Sequence, residues 1–121
     1  MTRRRALLLV AAVLPALAAR ASAHGFLERS DPRANSIVKR PPDRVRLWFT
    51  GAIEPAYRRV EVLTELGQRV DVGESIVDPE TRKSLTVAVP PLPPGRYQVK
   101  WRVLSVDTHV TEGSFSFRIA P

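Results

Sequence analysis

Apolar and polar positions alternate along most of this chain. Tyr97, Val99, Trp101 and Val103 alternate with Gln98, Lys100 and Arg102, and further on Phe115, Phe117 and Ile119 alternate with Ser116 and Arg118. A period of two puts one set of side chains on the core face of a β-strand and the other in solvent. The two segments therefore predict an antiparallel pair in a two-faced sheet. Upstream, Val45, Leu47 and Phe49 share one face of residues 44–49, Val60 and Val62 share one face of 58–63, Val70 and Val72 begin a short strand, and 84–89 gives another. Turn residues separate these stretches. Residues 30–35 and 40–43 form two turn clusters with room for only a short edge element between them, Gly67 lies in the turn 64–69, and Pro90-Pro91-Leu92-Pro93-Pro94-Gly95 joins two strands. Proline cannot donate to a sheet ladder, so this last segment is a stiff connection. About seven short strands, spaced by about ten residues, predict an all-β sandwich or Greek-key barrel. Trp48 and Trp101 both fall within alternating strands and are expected in its core.

The first 23 residues follow a different pattern. Arg3, Arg4 and Arg5 precede an apolar run over 6–19, and Ala21-Ser22-Ala23 offers small residues at the spacing of a signal-peptidase site. This predicts an export signal cleaved after Ala23. The run is shorter than the about 20 residues of a spanning helix, and it contains Pro15. Thr2-Arg3-Arg4 with Leu7 fits twin-arginine export, with the general secretory route as the alternative. Cleavage would leave residues 24–121 as one domain. It would also remove four arginines and no acid, so the formal net charge falls from +7 to +3, 15 basic residues against 12 acidic. The remaining basic positions, among them Arg29, Arg33, Lys39, Arg40, Arg44 and Arg46, lack an interleaved aromatic platform, which argues against nucleic acid as a partner. The chain has no cysteine, so the exported domain must be held by its core alone.

No G-x-S-x-G, cysteine nucleophile or glycine-rich phosphate loop is present, and the common catalytic constellations are missing with them. What remains are two histidines, His24 and His109, and Asp107 two residues before the latter. In an extended chain Asp107 and His109 project to one side, their Cα atoms about 6.6 Å apart. Alone, the pair is a weak signal and reads as a turn-capping aspartate and a solvated histidine. Cleavage after Ala23 changes this, because His24 would then offer its α-amine and imidazole Nδ1 as a chelate. His109 would complete a set of three nitrogens, with Asp107 as an axial or fourth ligand. Such donors suit Cu(II), while zinc is the alternative for two histidines and a carboxylate.

The residues also resemble a known family. His24-Gly25-Phe26-Leu27-x-x-Ser30-x-Pro32, then Val45-x-Leu47-x-Phe49-Thr50 with Glu54, and above all Gly95-x-Tyr97-x-Val99-x-Trp101-x-Val103-x-Ser105-x-Asp107-x-His109-x-x-x-Gly113-x-Phe115-x-Phe117, resemble the CopC family of periplasmic copper-resistance proteins. The resemblance implies an immunoglobulin-like Greek-key β-barrel that binds Cu(II) through His24, Asp107 and His109. It implies an exported, periplasmic monomer that sequesters copper or hands it to an inner-membrane transporter of the CopD type, without enzymatic activity. Where the family pattern usually reads D-G-H-P, this chain has Thr108 and Val110, and residues 24–121 contain no methionine for the thioether Cu(I) site of some members. Two other readings remain. An amino-terminal histidine brace also serves lytic polysaccharide monooxygenases, but the small domain and a carboxylate beside the metal speak against oxygen activation. In the third reading the histidines are incidental to an immunoglobulin-like structural module.

Overall fold

The computed structural model describes residues 26–121, and the expected export signal and His24 lie outside the described residues. Eight strands follow in order: β1 (Leu27–Asp31), β2 (Ile37–Val38), β3 (Arg44–Phe49), β4 (Ile53–Thr64), β5 (Val72–Val77), β6 (Ser84–Ala88), β7 (Gly95–Ser105) and β8 (Val110–Ile119). They form two four-stranded sheets, ordered β1-β3-β6-β5 and β2-β8-β7-β4. Every pairing is antiparallel except β2 with β8. This is an immunoglobulin-like β-sandwich, as the alternation and the resemblance predict.

The core lies between the sheets. Val45, Leu47 and Phe49 of β3 and Leu85 and Val87 of β6 meet Val60 and Val62 of β4, the inward row Tyr97, Val99, Trp101 and Val103 of β7, and Phe117 and Ile119 of β8. The Tyr97 ring stacks on Phe117 with centroids 5.7 Å apart. Its hydroxyl donates to the Pro93 carbonyl at 2.7 Å, which fixes the proline-rich connection against the barrel.

Three features depart from the sequence-based expectation. The eighth strand is β1, which runs into the expected turn cluster at 30–35. Its sequence, LERSD, has no apolar alternation. It is an edge strand held by backbone pairing to β3, with Ser30 turned inward and its hydroxyl donating to the Pro32 carbonyl at 2.9 Å. Second, β4 begins five residues before the alternating stretch, with a register shift between Ile53 and Arg58 around Pro55, which has no N–H to give the ladder. Arg58 fixes this irregular segment by donating to the carbonyls of Pro55 (2.7 Å) and Ser75 (2.8 and 3.1 Å). Third, Trp48 is not in the core. Val45, Leu47 and Phe49 take the inward positions of β3, so Trp48 faces outward and is half-buried beneath two guanidinium groups, Arg29 at 3.8 Å and Arg46 at 5.2 Å from the ring centroid.

Trp101 is buried, and it depends on a glycine opposite. It pairs with Gly113 of β8 and packs edge-on against Phe49 with centroids 5.3 Å apart. A Cβ on Gly113 would lie 2.8 Å from Trp101 Cζ2 and 3.1 Å from Cε2, and the rigid indole could yield only by displacing its neighbours. Gly113→Ala should therefore destabilise the domain by about 1–3 kcal/mol, read as a lowered midpoint in urea. A midpoint equal to that of the parent would show that the ring has room to move.

Candidate metal centre

The β7–β8 connection is a tight turn. The Ser105 N–H donates to the His109 carbonyl at 2.8 Å, and the Thr108 N–H to the Ser105 carbonyl at 2.9 Å. Ser105 takes the last inward position of β7 and is 3% exposed. Its hydroxyl accepts from the His109 N–H at 3.2 Å and donates to Asp107 Oδ1 in a short hydrogen bond. One buried hydroxyl thus sets the positions of both candidate ligands. Asp107 Oδ1 lies 3.4 Å from His109 Nδ1, and both side chains are about half exposed, 46% and 55%. The exposed Val106 and Val110 flank them.

Asp107 and His109 do converge, but not through an extended chain. Thr108 has φ 72°, in the left-handed region, so the pair is brought together by a turn, and β8 begins only at Val110. Thr108 occupies the position that carries glycine in the usual family pattern, and its hydroxyl donates to the Asp107 carbonyl. A left-handed conformation costs a residue with a Cβ about 1–2 kcal/mol, whereas glycine adds about 0.5–1 kcal/mol of backbone entropy cost. Thr108→Gly should consequently stabilise the apo domain by up to about 1 kcal/mol, a rise of a few degrees in Tm for a domain of this size. A fall in Tm would mean that the threonine hydroxyl outweighs the strain.

The strand arrangement brings the start of the described chain to the same end as this turn. The Phe26 N–H donates to Thr50 Oγ1 at 3.1 Å, and the Thr50 N–H donates back to the Phe26 carbonyl at 2.9 Å. Two residues on, the Ala52 carbonyl accepts from the Val106 N–H at 3.1 Å, and Ile53 pairs with Ser105. Phe26 and the Asp107–His109 turn are thus both tied to the β3–β4 connection. His24, the third residue of the expected site, lies outside the described residues. Among the described residues no group of three or more His, Cys, Asp or Glu side chains is placed to hold a metal ion. The expected set is therefore represented by two of its members. Ser105 was not singled out as part of the site from the sequence, although a polar residue ending the inward row Tyr97, Val99, Trp101, Val103 was the available signal.

A family model described as the CopC domain matches residues 27–120, and the chain belongs to this family. Copper resistance protein C of Escherichia coli is 31% identical over 108 residues, covering 82% of this chain and 83% of that protein. Copper transport protein CutJ of Bacillus subtilis (strain 168) is 29% identical over 98 residues, which are 80% of this chain but only 18% of CutJ. This chain thus matches a small part of that longer protein. The crystal structure of CopC from Methylosinus trichosporium OB3b superposes with a TM-score of 0.76 at 38% identity, covering 81% of this chain and 95% of that one. Membership bears out the resemblance, and with it the placing of the chain outside the enzymes.

Proposed function

We propose that the protein is an exported Cu(II)-binding domain that sequesters or carries copper in the periplasm and holds the ion through His24, Asp107 and His109. The observation that carries this reading is the Asp107–His109 pair, fixed by Ser105 at the end of the sandwich where Phe26 is tied down. Two further residues of chain reach at most about 7 Å, and two residues before Phe26 is His24. Cleavage after Ala23 would make its α-amine a ligand together with its imidazole. Three nitrogens and a carboxylate suit Cu(II), and residues 24–121 contain no sulfur to favour Cu(I). The copper resistance and copper transport relatives support the choice of metal. A similar segment within the much longer CutJ supports coupling of this domain to a transport protein, for which an inner-membrane transporter of the CopD type is the proposed recipient. The domain acts as a monomer in this reading.

Mass spectrometry of the exported protein, with and without copper, tests the terminus and the stoichiometry together. The expected result is a chain beginning at His24 that takes up a single Cu(II), with nitrogen hyperfine structure in its electron paramagnetic resonance spectrum. A terminus elsewhere, or preferential uptake of zinc, would overturn the reading.

A further inference from the structure

The outward face of the β2-β8-β7-β4 sheet has its charges arranged in rows across the strands. Arg102 of β7 stands between Arg59 of β4 and Glu112 of β8, Lys100 between Glu61 and Ser114, and Gln98 between Leu63 and Ser116. In the first row two arginines are direct neighbours, and the protein supplies their counter-charges. Glu112 lies 2.8 Å from Arg102, and Glu61 lies 3.9 Å from Arg59.

The last row differs. Arg96 of β7 stands directly opposite Arg118 of β8, both exposed. Among the described residues neither guanidinium has a carboxylate in ion-pair range. Glu65, just past the last β4–β7 pair at Thr64, makes no ion pair with Arg96. Like charges directly opposite on neighbouring strands are destabilising. Here the repulsion is kept without the acids that relieve it in the Arg59–Arg102 row. The two side chains border a depression of 220 Å³ whose other walls include Asn35, Ser36 and Ser116. Its rim is fixed, because the Asn35 N–H donates to the Ser116 carbonyl at 2.7 Å and the Arg118 N–H to the Ser36 carbonyl at 2.9 Å.

We infer that Arg96 and Arg118 form a binding site for a phosphate group, the external anion that completes this row. Directly opposed residues place their Cβ atoms about 5 Å apart, close enough for two guanidinium forks to converge on one tetrahedral oxyanion. Two cations match the charge of a phosphate group, about −1.5 to −2 at neutral pH. A single carboxylate needs only one fork. The Ser36 hydroxyl is already donated to the Arg33 carbonyl at 2.7 Å, so the two guanidinium groups carry the recognition. The site lies at the opposite end of β7 from Ser105, about 30 Å away at 3.3 Å per residue, so a phosphate bound there leaves the Asp107–His109 turn open. The inference is independent of the copper reading.

The test is a titration of the isotopically labelled mature protein with inorganic phosphate at constant ionic strength, followed by its amide resonances. Saturable shifts confined to the neighbourhoods of Asn35, Arg96 and Arg118 are expected. Arg96→Gln and Arg118→Gln should each weaken binding about tenfold or more, the loss of a charge-assisted contact, while Arg59→Gln leaves it unchanged. Both variants remove a like-charge neighbour, so they should fold with a Tm no lower than the parent's in phosphate-free buffer, and phosphate should raise the Tm of the parent and of Arg59→Gln more than that of either variant. Absence of saturation, or an equal effect of Arg59→Gln, would overturn the site. Sedimentation with phosphatidylglycerol but not phosphatidylcholine vesicles, competed by phosphate and lost in the double variant, would identify a lipid headgroup as the source. Phosphate binding without vesicle binding would identify a soluble phosphate. Vesicle binding that persists in the double variant counts against the proposal.

Discussion

One residue added before His24 in the mature protein is expected to lower Cu(II) affinity by several powers of ten. In the proposed site His24 supplies two donors that share one residue, its α-amine and Nδ1. An added residue turns the amine into an amide, whose nitrogen binds metal only after losing a proton that it holds far more tightly, and the chelate is lost. His24→Ala removes the imidazole instead and should cost a comparable amount. Several powers of ten correspond to more than about 4 kcal/mol, at about 1.4 kcal/mol per tenfold. The effect can also be read from stability. A ligand at about a thousand times its Kd stabilises the folded state by about 4 kcal/mol, so copper should raise the Tm of the mature protein and leave the extended form nearly unmoved. Without copper the two forms should unfold alike, because the core residues among those described all lie downstream of Phe26. An extended protein that binds copper as tightly as the mature one would refute the amino-terminal chelate.

The fold was legible where a strand has one face in the core. β3 was delimited to the residue and β6 to within one, because Val45-Leu47-Phe49 and Leu85-Val87 place an apolar residue at every second position between turn residues. β1 was not, since a polar edge strand earns its place through backbone pairing, to which side-chain periodicity is blind. The start of β4 was hidden by Pro55 and the register shift around it. Trp48 was misplaced because hydrophobicity outweighed position. The phase of Val45, Leu47 and Phe49 already put it on the outer face, where it is covered by arginine instead of by the opposite sheet. At the candidate site the convergence of Asp107 and His109 was legible but its cause was not. Alternation suggested an extended pair, whereas the turn depends on Thr108 adopting φ 72° and on the Ser105 hydroxyl, neither of which periodicity reveals.

His109→Ala should have the next largest effect on copper, about a hundredfold or more, by deleting a nitrogen donor of the proposed site. Asp107→Ala should cost less and chiefly alter the Cu(II) spectrum, since a carboxylate in the axial position binds more weakly and contributes part of its effect as charge. The turn geometry allows a sharper comparison. Ser105 is too buried to touch the ion, yet its hydroxyl holds the His109 backbone and the Asp107 carboxylate at once. Ser105→Ala should therefore weaken copper binding by about 10- to 100-fold, the usual cost of removing a group that orients a ligand, and should lower apo stability by about 1–3 kcal/mol through the buried polar contacts left unsatisfied. His109→Ala should spare apo stability, because its side chain is exposed and its backbone contacts survive the substitution. The two variants thus separate orientation from ligation. Weakened copper binding with an unchanged apo Tm marks a ligand, and weakened binding with a lowered apo Tm marks the residue that positions it. If His109→Ala bound Cu(II) as the parent does, with the same spectrum, His109 would not be a ligand, and the turn would serve the fold alone.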